Sequence, residues 1–174
     1  MSEQVSQLYM PGFLIVFIWI VVFWHSFKKV MSVYKDFNDR TTMNYKRIKR
    51  MHYPFRIILL LFVVMTICFV LFPQYYKLFL PIQALNHPGI NMTGFLILKA
   101  SLIWVLVIQL RLDEALFKYS RNIDTLSSME VVFYCERLLL KGILLMYIGM
   151  FITISNIIGF ILCVIAAFFY YKKR

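Results

Sequence analysis

GFLILKASLIWVLVIQL, residues 94–110, carries a single charge, Lys99, and two further polar side chains, Ser101 and Gln109. As a helix it rises about 26 Å, close to the roughly 30 Å of a bilayer's hydrocarbon core. Working outward, three more apolar stretches occur, at Pro11–Phe27, Ile57–Phe72 and Leu138–Tyr171. Hydrocarbon offers no partner for backbone N–H and C=O groups, so segments that enter it must be helical. The expected fold is therefore all-α: a polytopic membrane helical bundle of four or five transmembrane helices, one integral membrane domain over residues 1–174. Whether four or five depends on Leu138–Tyr171, which is far longer than one span needs and reads either as one helix or as two short spans. A break near Thr153-Ile154-Ser155-Asn156 would turn it into a hairpin and return Lys172-Lys173-Arg174 to the side of the other basic segments. The cost is length, because residues 157–171 rise only about 22 Å, so the bilayer would have to thin.

Composition agrees with a membrane class. The chain is 61% hydrophobic and 18% aromatic, with a formal net charge of +11. In such a chain basic residues orient the helices, with Lys and Arg collecting on the cytoplasmic side. Residues 25–56 hold Lys28, Lys29, Lys35, Arg40, Lys46, Arg47, Lys49, Arg50 and Arg56, against Asp36 and Asp39. The next connection, 73–93, holds Lys77 alone, and the third holds Arg111, Lys118, Arg121, Arg137 and Lys141. The expected topology has cytoplasmic connections at about 28–55 and 111–137, with the N-terminus outside, in a cell (inner) membrane. No basic stretch precedes Pro11–Phe27 and no small-residue cleavage site follows it, so no cleaved leader is expected. Cys68, Cys135 and Cys163 are odd in number and fit neither a disulfide nor a zinc spacing.

The basic connection reads as structured. Tyr45, Ile48, Met51 and Phe55 recur at helical spacing, with Lys46, Lys49 and Arg50 on another face. Ser127-Ser128-Met129-Glu130 matches a capping box with Ser127 as N-cap. Together these helices are expected to extend into a small basic cytoplasmic collar. Lys46, Arg47, Lys49 and Arg50 are its candidate binding residues, for anionic lipid headgroups or an acidic cytoplasmic protein. Nucleic acid is not an expected partner, because no stacking motif or recognised module accompanies the charge.

Inside the apolar runs, Lys99, Ser101, Gln109 and Asn156 are the polar candidates. A charge at mid-membrane is a functional hypothesis by default, yet Lys99 lies only five residues into its stretch, about 7.5 Å of rise, within reach of the interface by snorkelling. Ser101, Gln109, Thr153, Ser155 and Asn156 are readily accounted for by interhelical hydrogen bonds. Gly142, Gly149 and Gly159 would permit close helix approach. His25, His52 and His87 have no ligand-like spacing, and neither a metal nor a cofactor is expected. His87-Pro88-Gly89, with Gly94 and Asp113-Glu114, resembles in outline the isoprenylcysteine membrane methyltransferases. The tyrosine after the His-Pro pair is missing and the acidic residues follow too soon, so that family is set aside. No nucleophile–base pair or paired carboxylate stands out, and no enzyme is expected. The expected role is a non-enzymatic integral membrane subunit, an anchor, sensor or scaffold for a cytoplasmic partner, working as a homo-oligomer or in a heteromeric complex. The alternative is a small oligomeric channel or transporter with an anion-biased polar path near Lys99.

Overall fold

The computed structural model describes residues 43–172 apart from 86, 122 and 124. Pro11–Phe27 and the first basic residues, through Arg40, lie outside the described residues, as do Lys173 and Arg174. Four long helices account for most of the described chain: α1 (Met43–Leu71), α2 (Pro88–Ser120), α3 (Thr125–Ile154) and α4 (Ile157–Tyr171). A one-turn helix, Pro73–Tyr76, and a 3-10 turn, Lys77–Phe79, follow α1. The fold is all-α.

The expected number of crossings is corrected. Among the described residues two helices are long and apolar enough to cross a membrane, Pro88–Ala115 and Glu130–Ile154. The apolar parts of the other two, Tyr53–Phe69 and Ile157–Tyr171, fall in the 10–17 residue class. The reason is geometric. The long final run breaks at Ser155–Asn156, as its polar interruption implied, and the remaining α4 of 15 residues rises only about 22 Å. In α1 the charged residues through Arg50 precede the apolar portion, which begins at Tyr53. Residues 43–52 are continuous with the apolar half of α1, running through Pro54. Residues 111–120 and 125–137 are the ends of α2 and α3, so these helices do extend past their apolar runs. α3 begins at Thr125, two residues before the expected cap at Ser127.

Packing centres on α2 and α3, which run antiparallel. A Cβ on Gly94 would meet the backbone of Ile152 and Thr153, and one on Gly149 would meet Leu98. Further along, Trp104 Nε1 donates to the Leu138 carbonyl at 3.4 Å, and Gly142 lies against Trp104 and Val105. α4 folds back along α3: Phe160 packs on Phe151 with ring centroids 5.6 Å apart, and Cys163 Sγ donates to the Tyr147 carbonyl at 3.3 Å. α1 closes the bundle through Tyr147. Its ring stacks on Phe62 at 5.6 Å and meets Phe55 edge-on at 5.7 Å. Its hydroxyl donates to the Phe55 carbonyl at 2.7 Å, so the one polar atom of this buried ring is satisfied.

Candidate functional site

The densest polar cluster in the interior is the corner between α3 and α4. α3 ends on Ser155, whose φ of 46° is left-handed and whose N–H donates to the Phe151 carbonyl at 2.7 Å, closing the last turn. The next residue, Asn156, is extended and caps α4, its side-chain oxygen accepting from the Gly159 amide at 2.5 Å. Its Nδ2 donates to Met65 Sδ of α1 at 3.6 Å. The backbone on either side is clasped by the loop before α2. Ile82 N–H donates to the Ser155 carbonyl at 2.9 Å and Ile157 N–H to the Leu80 carbonyl at 3.1 Å, forming an isolated antiparallel bridge of Pro81 with Asn156. Ser155 Oγ has the Leu85 carbonyl at 3.2 Å, Asn91 Oδ1 at 3.3 Å and the Ile152 carbonyl at 2.8 Å.

The corner thus ties α1, the 80–85 loop, α2, α3 and α4 together. Breaking a helix exposes backbone groups that apolar surroundings cannot satisfy. Here the Ser155, Ile157 and Gly159 amides and the Ser155 carbonyl find partners, and among the described residues no buried side-chain nitrogen or oxygen lacks one. Chemically the cluster is a structural clasp. The described residues contain no group of three or more His, Cys, Asp or Glu positioned to hold a metal.

The four polar candidates are not gathered into one path. Asn156 is fully buried in the corner, against Met65 of α1. Ser101 is buried on the α3-facing side of α2, its hydroxyl donating to the Leu98 carbonyl one turn back at 2.8 Å. Thr153 does likewise, to Gly149 at 2.7 Å. These hydroxyls are satisfied within their own helices, not across helices. Gln109 is half-buried and has a partner of its own. Lys99 points the other way. It is exposed, between exposed Leu96 and Ile103, with its Nζ 4.6 Å from the centroid of the Phe95 ring. α2 begins at Pro88, not Gly94, so Lys99 sits eleven residues along the helix, about 16 Å from its start. Its side chain leans back towards that start, as long helical side chains do. Lys99→Gln is expected to shift stability by less than about 0.5 kcal/mol, since no buried partner is lost. Thermal unfolding in detergent tests this, and a large drop would mean that Lys99 holds a structural contact.

Lys46, Arg47, Lys49 and Arg50 lie in the first two turns of α1, at the end remote from the corner. Their side chains are outside the described set. Sequence reading passed over Glu136, which is 3% exposed on α3 and has a partner. The signal was present, since Glu136 falls at helical spacing between Val132 and Leu140, both buried. A charge on such a face is paired when folded. Gly94, where α3 backbone leaves no room for a Cβ on α2, was read only as the edge of an apolar stretch.

Comparison of the chain with protein-family models, with curated proteins and with solved structures gives no match.

Proposed function

We propose that the chain is an integral membrane protein in which α2 and α3 cross the bilayer, serving as a non-enzymatic subunit for a partner at its basic end. One observation carries the membrane reading. Only 33% of the apolar window in α2 is buried, and Met92, Leu96, Ile103, Trp104, Val107 and Leu110 are all exposed. A core helix of a water-soluble protein hides such residues, because each exposed large apolar side chain forgoes about 1.5–3 kcal/mol of burial. Hydrocarbon accommodates them without that loss. The same holds on α4, where Phe160, Ile161, Val164, Ile165 and Phe168 are exposed. The charge bias supports an orientation with the 80–85 loop outside and the turn at Arg121 in the cytoplasm. The subunit role rests on the basic first turns of α1, and no observation favours a channel path.

The test is fractionation and labelling. The protein is expected to stay in membranes through alkaline carbonate and to leave them in detergent. In a background without native cysteines, Gln83→Cys is expected to react with an impermeant maleimide on intact cells, and Arg121→Cys only after permeabilisation. Release by carbonate would refute the membrane reading, and the reverse labelling pattern would refute the orientation. For the subunit role, Arg47→Glu with Arg50→Glu is expected to abolish recovery of a co-purifying partner while membrane insertion persists. A partner-free wild-type protein from native membranes would end that reading.

A further inference from the structure

The register of the helices brings four cations from three helices to one level. α2 and α3 are antiparallel, with Leu98 opposite Gly149 and Trp104 beside Leu138 and Gly142. Continuing that register sets Arg111 level with Arg137. On α4, Cys163 lies beside the Tyr147 carbonyl and Phe160 on Phe151. Continuing that run sets Lys172 level with Leu138. Arg111, Arg137, Lys141 and Lys172 therefore fall within about 8 Å along the bundle axis, and all four are exposed.

Aromatic side chains bracket this level, over about 14 Å along the axis. Trp104, Tyr134 and Tyr171 are all exposed, at 48%, 60% and 74%. On the corner side of this level most exposed side chains are apolar, among them Leu96, Ile103, Leu145, Ile148 and Val164, with Lys99 an exposed cation in their midst. On the other side exposed charges enter, Glu114, which pairs with Lys118 at 2.7 Å, then Arg121 and Glu130, interspersed with exposed Phe117, Ile123 and Val131. An apolar band, an amphipathic aromatic level and then charge is the sequence of environments met on leaving hydrocarbon through the headgroups. A shallow furrow on α4, lined by Val164, Ala167, Phe168, Tyr171 and Lys172, runs from the apolar band to a cation. An acyl chain below and a phosphate above match that furrow in both polarity and charge.

We propose that Arg111, Arg137, Lys141 and Lys172 form a belt that binds the headgroups of anionic phospholipids, with Lys172 and its furrow as the best-defined position. The acidic groups nearby do not cancel the belt. Glu136 is buried and partnered, Asp113 is half-buried and partnered, and Glu114 is engaged by Lys118. The proposal rests on the membrane reading above and adds to it a lipid class and a depth.

Trp104 supplies the probe. With Trp19→Phe and Trp24→Phe it is the sole tryptophan, and its quenching by brominated lipid reports which lipid sits at the belt. In reconstituted vesicles, brominated phosphatidylglycerol is expected to compete roughly fivefold better than brominated phosphatidylcholine, the factor that one basic residue near an anionic surface supplies. Replacing all four cations by Gln is expected to bring the ratio to about one. Exchange of Arg for Lys and Lys for Arg at the same positions should keep the preference. Where the fourfold variant fails to fold, Lys141→Gln with Lys172→Gln gives the same readout. Equal quenching in the wild type, or a preference that survives neutralisation, would overturn the belt while leaving the membrane reading intact. No quenching by either lipid would overturn the membrane reading itself.

Discussion

Gly94→Ala is expected to lower the stability of the fold by about 3 kcal/mol, at the upper end for one added methyl in a packed interior. The added Cβ would stand 2.5 Å from the Thr153 amide nitrogen and 2.8 Å from the Ile152 carbonyl carbon. Both are backbone atoms of the opposing helix, so no rotamer change relieves the clash. α2 and α3 must move apart or shift register, and this pair holds most of the core. Gly89 provides the control. It lies on the same helix with nothing within 4 Å of an added Cβ, so Gly89→Ala is expected to be neutral or to gain up to about 1 kcal/mol of helix propensity. Gly149→Ala meets Leu98 backbone at 2.9 Å and the Gly94 carbonyl at 3.2 Å. Because it acts on the same crossing, the double variant should fall short of additivity. Thermal unfolding in detergent, followed by reaction of buried Cys135 with a thiol-reactive dye, measures all four. Equal midpoints for Gly94→Ala and Gly89→Ala would show that the two helices do not cross this closely.

That contact marks the limit of what the sequence discloses. The apolar runs announce helices, and the polar interruption Thr153-Ile154-Ser155-Asn156 announces a break, since hydrogen-bonding side chains in an apolar run favour turns and caps. The structure sets the break at Ser155–Asn156. The number of spans was not legible, because it depends on helix lengths on either side of the break and on where charge interrupts α1. The position of Lys99 along its helix was not legible because Asn91 and Thr93 read as loop, although His87-Pro88 marks a helix start: Pro88 takes the first position, where its missing N–H costs nothing, and the Asn91 amide donates to the His87 carbonyl at 3.0 Å. The partnership of Gly94 with Gly149 depends on register between helices whose contacting residues lie 55 positions apart, and local periodicity holds no trace of it. Nor could periodicity alone tell that Ser101 and Thr153 bond within their own helices while Ser155 and Asn156 bridge elements.

Asn156→Ala is expected to loosen α4 before the rest of the bundle. Asn156 is fully buried, and its two polar atoms serve different partners: the oxygen caps the Gly159 amide and Nδ2 meets Met65 Sδ at 3.6 Å. Alanine strands that amide where water does not reach it, which combines the loss of a cap with the cost of an unsatisfied donor, about 2 kcal/mol together. Asn156→Ser keeps an acceptor of shorter reach and should recover roughly half. The loss is local, because α4 is joined to the bundle through this corner and its contacts with α1 and α3, whereas α2 and α3 hold each other. Cys163 and Cys135 separate the two outcomes. Cys163 donates to the Tyr147 carbonyl across the α3–α4 contact, and Cys135 is buried on α3 towards the α2 contact. Opening of α4 alone uncovers the first and not the second. Asn156→Ala should therefore raise the rate of Cys163 alkylation by at least roughly tenfold, the factor that about 1.4 kcal/mol of local opening supplies, with Cys135 nearly unchanged. Mass spectrometry of the alkylated peptides reads both rates in one sample. Parallel acceleration at the two cysteines would mean that the corner secures the whole fold, and no change at Cys163 would mean that α4 is held by its apolar face alone.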